Sequence, residues 1–153
     1  MIEENVHYKR FKHKKYKYIT SQEIMSYTGI IGRDIKTDYF HLKRDGIVVI
    51  FVGYAWDGCT GVPDLKSTML ASLVHDIGYQ CLRDELLLDW GLYSNDIHQY
   101  YSDFQKYLKR IDKLFEWFME QDGAWWITRK IYYRGVRVFG EKHAMPEILK
   151  NAT

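Results

Sequence analysis

Residues 104–121 read FQKYLKRIDKLFEWFMEQ, and their apolar pattern is the one in this chain that is most typical of a helix. The large apolar residues recur at the i, i+3, i+4 and i+7 spacing that places them on one helical face. They are Phe104, Tyr107, Leu108, Ile111, Leu114, Phe115, Phe118 and Met119. Gly123 follows as a C-terminal cap. The segment therefore predicts an amphipathic helix that packs on a hydrophobic core.

A second helix is predicted upstream, with Asp64 as its N-cap and its end at about Leu82. Its apolar face consists of Leu70, Val74, Ile77 and Cys81. The opposite face carries Thr68, Ser72, His75 and Tyr79, with Asp76 at its edge. A helix of this kind can pack on a core with one side while its polar side lines a cleft.

A third helix is predicted downstream, from Trp125 to Phe139, and Gly140 is expected to end it. The predicted buried residues of this helix are Trp125, Tyr132, Val136 and Phe139.

The first third of the chain has the pattern of strands. The apolar segments 38–42 and 46–52 flank Lys43-Arg44-Asp45-Gly46, and Asp-Gly between such segments is typical of a hairpin turn. We therefore predict an α+β fold with a small N-terminal antiparallel sheet or hairpin, followed by a bundle of about three main helices. The 153 residues suit a single domain, with strands mainly in 1–55, helices mainly in 63–140 and a tail in 141–153.

Composition and charge argue against several classes of protein for this chain. The net charge of +2 is too small to imply a nucleic-acid partner. Cys59 and Cys81 form neither a disulfide framework nor a CxxC pair. No signal peptide is predicted, because the first residues, MIEENVHYKR, contain no apolar core. No membrane-spanning segment is predicted, because the apolar run at 47–52 is far too short. The basic stretch from Lys9 to Lys17 is either a solvated arm or a contact for an anionic surface.

Two acidic residues indicate a metal site. Asp57 lies in WDGCTGVP, where Gly58 and Gly61 allow the backbone to turn so that carbonyl oxygens converge on a cation. Asp76 lies on the predicted second helix, beside His75. Carboxylates and carbonyls form an oxygen-rich site that suits Ca²⁺, so Asp57, Asp76 and the loop at Gly58 are the predicted ligands. The alternative is that Asp57-Gly58 forms only a turn.

His75 is the candidate general base. Asp112 abuts the apolar face of the 104–121 helix, where a carboxylate requires a partner, and His75 or Tyr79 is the best candidate. Asp112 would then hold one tautomer of His75, while Tyr79 donates a hydrogen bond to the same carboxylate. The chain has neither a GxSxG motif nor a phosphate-binding glycine loop, and an isolated His-Asp pair is often structural.

The ordered segments WDGCTGVP, LVHDIGYQ, RIDKLFEWFM and YYRGVRVFG resemble a phage and prophage family of unknown function. The resemblance covers about residues 53–140. Typical members have a WDGAS-like loop, an LHDxxY helix, an ADxxF helix and a VRxFG end. Cys59, Thr60 and Ile111 depart from that pattern. Membership would imply a protein made in the cytoplasm of an infected bacterium, with packaging in the virion as an option.

The same helices are similar to the core of phospholipase A-two enzymes, above all the prokaryotic ones. That resemblance implies that His75 is the base, Asp76 a calcium ligand, Tyr79 a hydrogen-bonding support and Asp112 the orienting acid, with Asp57 as the loop ligand. The expected activity is calcium-dependent ester hydrolysis on phospholipid or another envelope ester. The disulfides of those enzymes and their usual glycine pattern in the calcium loop are absent here.

Two alternatives stay open. One is a non-enzymatic phage structural or host-interaction protein, with Trp90–Tyr101 and Lys9–Lys17 as contact surfaces. The other is a cell-wall peptidase or amidase in which Asp57, His75 and Asp76 hold Zn²⁺, although oxygen ligands favour Ca²⁺. The sequence leaves the oligomeric state open.

Overall fold

The computed structural model describes residues 7–10, 16–59, 63–65, 68–88, 96–146 and 149–150. In this part of the chain two antiparallel sheets precede three helices, which confirms the predicted α+β fold. Most of the Lys9–Lys17 stretch and the residues 90–95 of the predicted aromatic surface lie outside the described residues.

The strands are short and form two separate sheets. The first sheet has the order β1-β2-β7, and the second has the order β3-β6-β5-β4. Their bounds are β1 Tyr8–Arg10, β2 Tyr18–Thr20, β3 Ile24–Tyr27, β4 Ile35–Lys36, β5 Phe40–Leu42, β6 Ile47–Ile50 and β7 Ala55–Trp56.

The predicted hairpin is present as β5 and β6. These strands pair with Leu42 opposite Val48, and the turn between them includes Gly46 at a φ of 89°. Side chains alternate across β6, so Val48 and Ile50 are buried in the core while Ile47 and Val49 are half-buried. The hairpin therefore contributes one buried face on which other elements pack.

The helices are α1 Met69–Arg83, α2 Ile97–Gln121 and α3 Trp126–Ala144, and each packs on the other two. The predicted N-cap of α1 is wrong. Asp64 instead accepts hydrogen bonds from the backbone N–H of Cys59 and from the hydroxyl of Tyr18, each at 2.7 Å. Helix α2 begins earlier than residue 104, because Asp96 caps it by accepting a hydrogen bond from the backbone N–H of Gln99.

The prediction for α3 is wrong at two points. The helix continues through Gly140 to Ala144, so residues 141–144 belong to the helix rather than to a tail. Trp125 is 77% exposed and Phe139 is 55% exposed, whereas the predicted burial of Tyr132 and Val136 is confirmed. Local pattern assigns aromatic residues to a core by default. Trp125 and Phe139 lie seven residues before and after buried Tyr132, so the spacing alone does not separate these exposed positions from the buried one.

Buried side chains from both sheets and all three helices form one continuous apolar cluster. The predicted apolar faces of α1 and α2 contribute to it, with Tyr107 and Leu114 at its partly buried margin. Among the described helices, none combines the length and the apolar character required to cross a bilayer.

Candidate functional site

A cleft with a volume of about 850 Å³ lies beside α1. Helix α1 contributes Ser72, His75, Asp76 and Tyr79 to its wall, which agrees with the prediction that this face lines a cleft. The loop after β7 contributes Asp57, Gly58 and Cys59, and the other helices contribute Phe115, Val136, Phe139 and Gly140. Thr68, which was predicted on the same face, is buried.

Asp112 lies behind the cleft wall, fully buried, and binds two residues of α1. One of its oxygens, Oδ1, is 2.7 Å from Nε2 of His75 and 2.7 Å from the hydroxyl of Tyr79. The ring centroids of His75 and Tyr79 are 3.9 Å apart, and that of Phe115 is 5.0 Å from His75. The imidazole is thus fixed by one hydrogen bond and by ring packing.

Sequence reasoning missed Arg137. Its Nη1 donates a hydrogen bond of 2.8 Å to Oδ2 of Asp112, so the buried carboxylate has a cationic partner from α3. The signal was available, because a buried carboxylate requires charge compensation and neither a neutral His75 nor Tyr79 supplies it. Arg137 lies in the segment YYRGVRVFG, but nothing in its spacing shows that it points toward α2.

The contacts of His75 leave one ring nitrogen available. Donation of the Nε2 proton to Asp112 leaves Nδ1 as the unprotonated nitrogen. Among the described residues, none forms a hydrogen bond with Nδ1. Burial and the adjacent Asp112 raise the pKa of Tyr79 far above its usual value, so its hydroxyl stays a donor. The arrangement therefore presents a basic nitrogen on a residue that lines the cleft.

Asp76 and Asp57 bring two carboxylates to the same cleft. Burial, reinforced by the charge of Asp57, raises the pKa of Asp76 to about 8. Arg83 and a hydrogen bond from the backbone N–H of Asp57 oppose that shift. Asp76 is half-buried while Asp57 is exposed. A proton or a cation that offsets one of the two negative charges would relieve their repulsion.

Two hydrogen bonds hold the loop after β7 in place, one from Trp56 before the loop and one from the backbone N–H of Cys59 to Asp64. The indole N–H of Trp56 donates a hydrogen bond of 3.1 Å to the hydroxyl of Ser72 on α1. Gly58 has a φ of 76°, and a Cβ there would lie 2.3 Å from Oδ1 of Asp64. The glycine is therefore required both by its backbone conformation and by the close approach of Asp64. Thr60, Gly61 and Val62 lie outside the described residues.

The described residues contain no group of three His, Cys, Asp or Glu side chains that could hold a metal ion. Asp57 and Asp76 would bind a cation together with backbone or water oxygens, as Ca²⁺ sites commonly do. A role for the Gly58 carbonyl in such a site stays a prediction.

A second His-Asp pair lies outside the cleft. Nε2 of His41 is 2.8 Å from Oδ1 of Asp34, and both side chains are partly exposed. Its distance matches that of the His75–Asp112 pair, while its surroundings differ completely. It therefore offers an internal control for experiments on the buried pair.

Comparison of this chain with models of protein families, with curated proteins and with solved structures gives no match in any of the three.

Proposed function

We propose that this chain is a calcium-dependent ester hydrolase of the phospholipase A-two type, with His75 as the general base. The observation that carries the proposal is the 2.7 Å hydrogen bond between buried Asp112 and His75 at the wall of a cleft that also contains Asp57 and Asp76. The resemblance to phage sequences adds the proposal that the protein acts during infection of a bacterium.

The carboxylates of Asp57 and Asp76 are the proposed cation ligands. Their mutual repulsion, which contributes to the raised pKa of Asp76, is the feature that a bound Ca²⁺ would relieve. A hard divalent cation prefers oxygen ligands of this kind. When bound, the ion would polarise the ester carbonyl and offset the negative charge that develops on its oxygen.

In the proposed reaction, His75 transfers protons in both directions. Nδ1 accepts a proton from water while the water oxygen forms a bond with the carbonyl carbon. The imidazolium then gives that proton to the alcohol oxygen as the carbon–oxygen ester bond breaks. Asp112 keeps the ring oriented throughout, and Tyr79 and Arg137 hold Asp112 in place.

The lining of the cleft supports an amphipathic ester as substrate. Phe115, Val136 and Phe139 supply apolar surface, while Arg83 and Lys142 supply positive charge. Phospholipids and other esters of the bacterial envelope combine an acyl chain with an anionic group, so they are the substrates that we propose to test first.

The test is ester hydrolysis measured as fatty-acid release from phosphatidylglycerol vesicles, with Ca²⁺ or with a chelator. We expect His75→Gln to reduce the rate by about 10²- to 10⁴-fold, as loss of a general base does. His41→Gln removes the exposed His-Asp pair and is expected to retain the full rate. Equal rates for the two variants would refute the proposed role of His75.

The non-enzymatic function is the second candidate, and one observation favours it. Arg137, Asp112, His75 and Tyr79 connect three helices, and Arg137 already balances the charge of Asp112. A network of this kind stabilises the packing of the three helices, and that structural role would explain its presence without any catalysis. In that case His75→Gln would change the free energy of unfolding, and the native protein would hydrolyse no ester. Metal analysis that finds Zn²⁺ would favour the peptidase or amidase alternative instead.

A further inference from the structure

The outer side of α3 is apolar although it faces solvent. Ile127, Ile131 and Val138 follow one another at spacings of four and seven residues, with Arg134 between them, and they form a stripe that we call the outer face of α3. Ile131 is 55% exposed and Val138 is 65% exposed. Trp126 and Phe139 of α3 and its N-cap residue Trp125 are exposed as well. Soluble proteins seldom expose so many large apolar side chains on one helix.

The same helix carries an excess of positive charge. Its basic residues are Arg129, Lys130, Arg134, Arg137 and Lys142, and its acidic residue is Glu141. Glu141 is turned toward α2, where it accepts a hydrogen bond from the hydroxyl of Tyr101. Lys130, Arg134 and Lys142 are exposed, and they form no ion pair with any other described residue. Their charge is therefore available to a partner.

We propose that the outer face of α3 docks on an anionic lipid bilayer. A helix that presents aliphatic and tryptophan side chains between lysines and arginines can bury the apolar groups at the headgroup boundary while the cations remain near lipid phosphates. A nucleic acid would use the cations but would give Ile127, Ile131 and Val138 no apolar surface to contact. The combination of exposed aliphatic residues with unpaired cations is what favours the bilayer.

The position of the cleft agrees with this orientation. Phe139 and Lys142 belong both to the exposed surface of α3 and to the lining of the cleft. A bilayer on the outer face of α3 would thus lie next to the cleft. The binding itself does not depend on the proposed hydrolysis, and it is tested without any measurement of activity.

The experiment is sedimentation of the full chain with vesicles of phosphatidylglycerol and phosphatidylcholine, compared with phosphatidylcholine alone. We expect binding to the anionic vesicles, with much weaker binding to the neutral ones and in high salt. Arg134→Gln should lower the affinity about fivefold. The double variant Ile131→Ser with Val138→Ser should lower it by about tenfold or more.

Matched controls come from the N-terminal half of the chain, where Ile31, between β3 and β4, is 67% exposed and Lys36 of β4 is exposed. Ile31→Ser removes an exposed isoleucine and Lys36→Gln removes an exposed positive charge, and both should leave vesicle binding unchanged. The proposal is overturned if the native chain does not bind anionic vesicles, or if the variants of α3 bind as well as the native chain. It is also overturned if light scattering shows a dimer that the Ile131→Ser, Val138→Ser variant abolishes, because a second copy would then cover the face.

Discussion

The packing of α3 and the geometry of the site both depend on the absence of a side chain at Gly140. A Cβ at this position would lie 1.9 Å from the hydroxyl oxygen of Tyr79 and 2.8 Å from its Cζ. The hydroxyl cannot move away freely, because it donates a 2.7 Å hydrogen bond to Asp112. Gly140→Ala must therefore displace either Tyr79 or α3.

The magnitude follows from three contributions. In an open helical position, replacement of glycine by alanine stabilises by about 1 kcal/mol. Here the loss of a hydrogen bond to a charged carboxylate destabilises by about 1.5–3 kcal/mol. Overpacking of a buried contact adds about 1–3 kcal/mol. We expect Gly140→Ala to reduce the free energy of unfolding by about 1.5–5 kcal/mol, the reverse of what helix propensity alone predicts.

The assay is urea unfolding followed by circular dichroism, for the native chain, Gly140→Ala, Tyr79→Phe and the double variant. Tyr79→Phe removes the atom at 1.9 Å, so the two changes together should destabilise by at least about 1 kcal/mol less than the sum of the single effects. A Gly140→Ala protein as stable as the native chain, or strictly additive effects, would refute this account of the contact.

Two further predictions concern groups whose pKa is raised. The pKa of Asp76 is about 8 in the folded protein because of burial and Asp57, against a usual value of 3.8, so the folded state retains a proton that the unfolded state loses. The free energy of unfolding in a chelator should therefore fall as the pH rises from about 4 to about 8. Asp76→Asn should gain stability relative to the native chain over that window in pH-dependent urea titrations, and a constant difference would contradict this. Burial raises the pKa of both Cys59 and Cys81 to about 12, so neither thiol should react with a disulfide reagent at pH 8 until urea unfolds the chain. Rapid reaction of either thiol in the folded protein would show that its environment is different.

Short-range pattern predicted most of the secondary structure. The α2 segment and the β5–β6 hairpin are specified by apolar periodicity and by a turn dipeptide, which act within a few residues. The separation of the strands into two sheets depends on pairings such as Tyr18 with Trp56, which no local pattern encodes.

The errors in α3 have the same origin. Gly140 has the local character of a helix end, yet its role is to admit Tyr79 from another helix. Phe139 has the character of a core residue and lies seven residues after buried Tyr132, yet it lines the cleft and is 55% exposed.

The site was predicted only in part, for a physical reason. His75, Tyr79 and Asp112 were brought together by the argument that a carboxylate on an apolar face requires a partner, and the structure places them within hydrogen-bonding distance. That argument shows that the Asp112 carboxylate needs a partner, but it does not show how many partners there are. Arg137 was therefore missed, because it arrives from a third helix whose rotation depends on packing.

The Arg137–Asp112 contact also affects how the chain folds during synthesis, because the helices leave the ribosome in order. Asp112 is synthesised 25 residues before Arg137, and the helices α1 and α2 are complete while the cation is still missing. Closure of α1 on α2 at that stage would bury a carboxylate without its compensating charge, which is unfavourable by several kcal/mol. We therefore expect a nascent chain to keep these two helices apart until α3 emerges, so that an unfinished polypeptide does not carry a formed cleft.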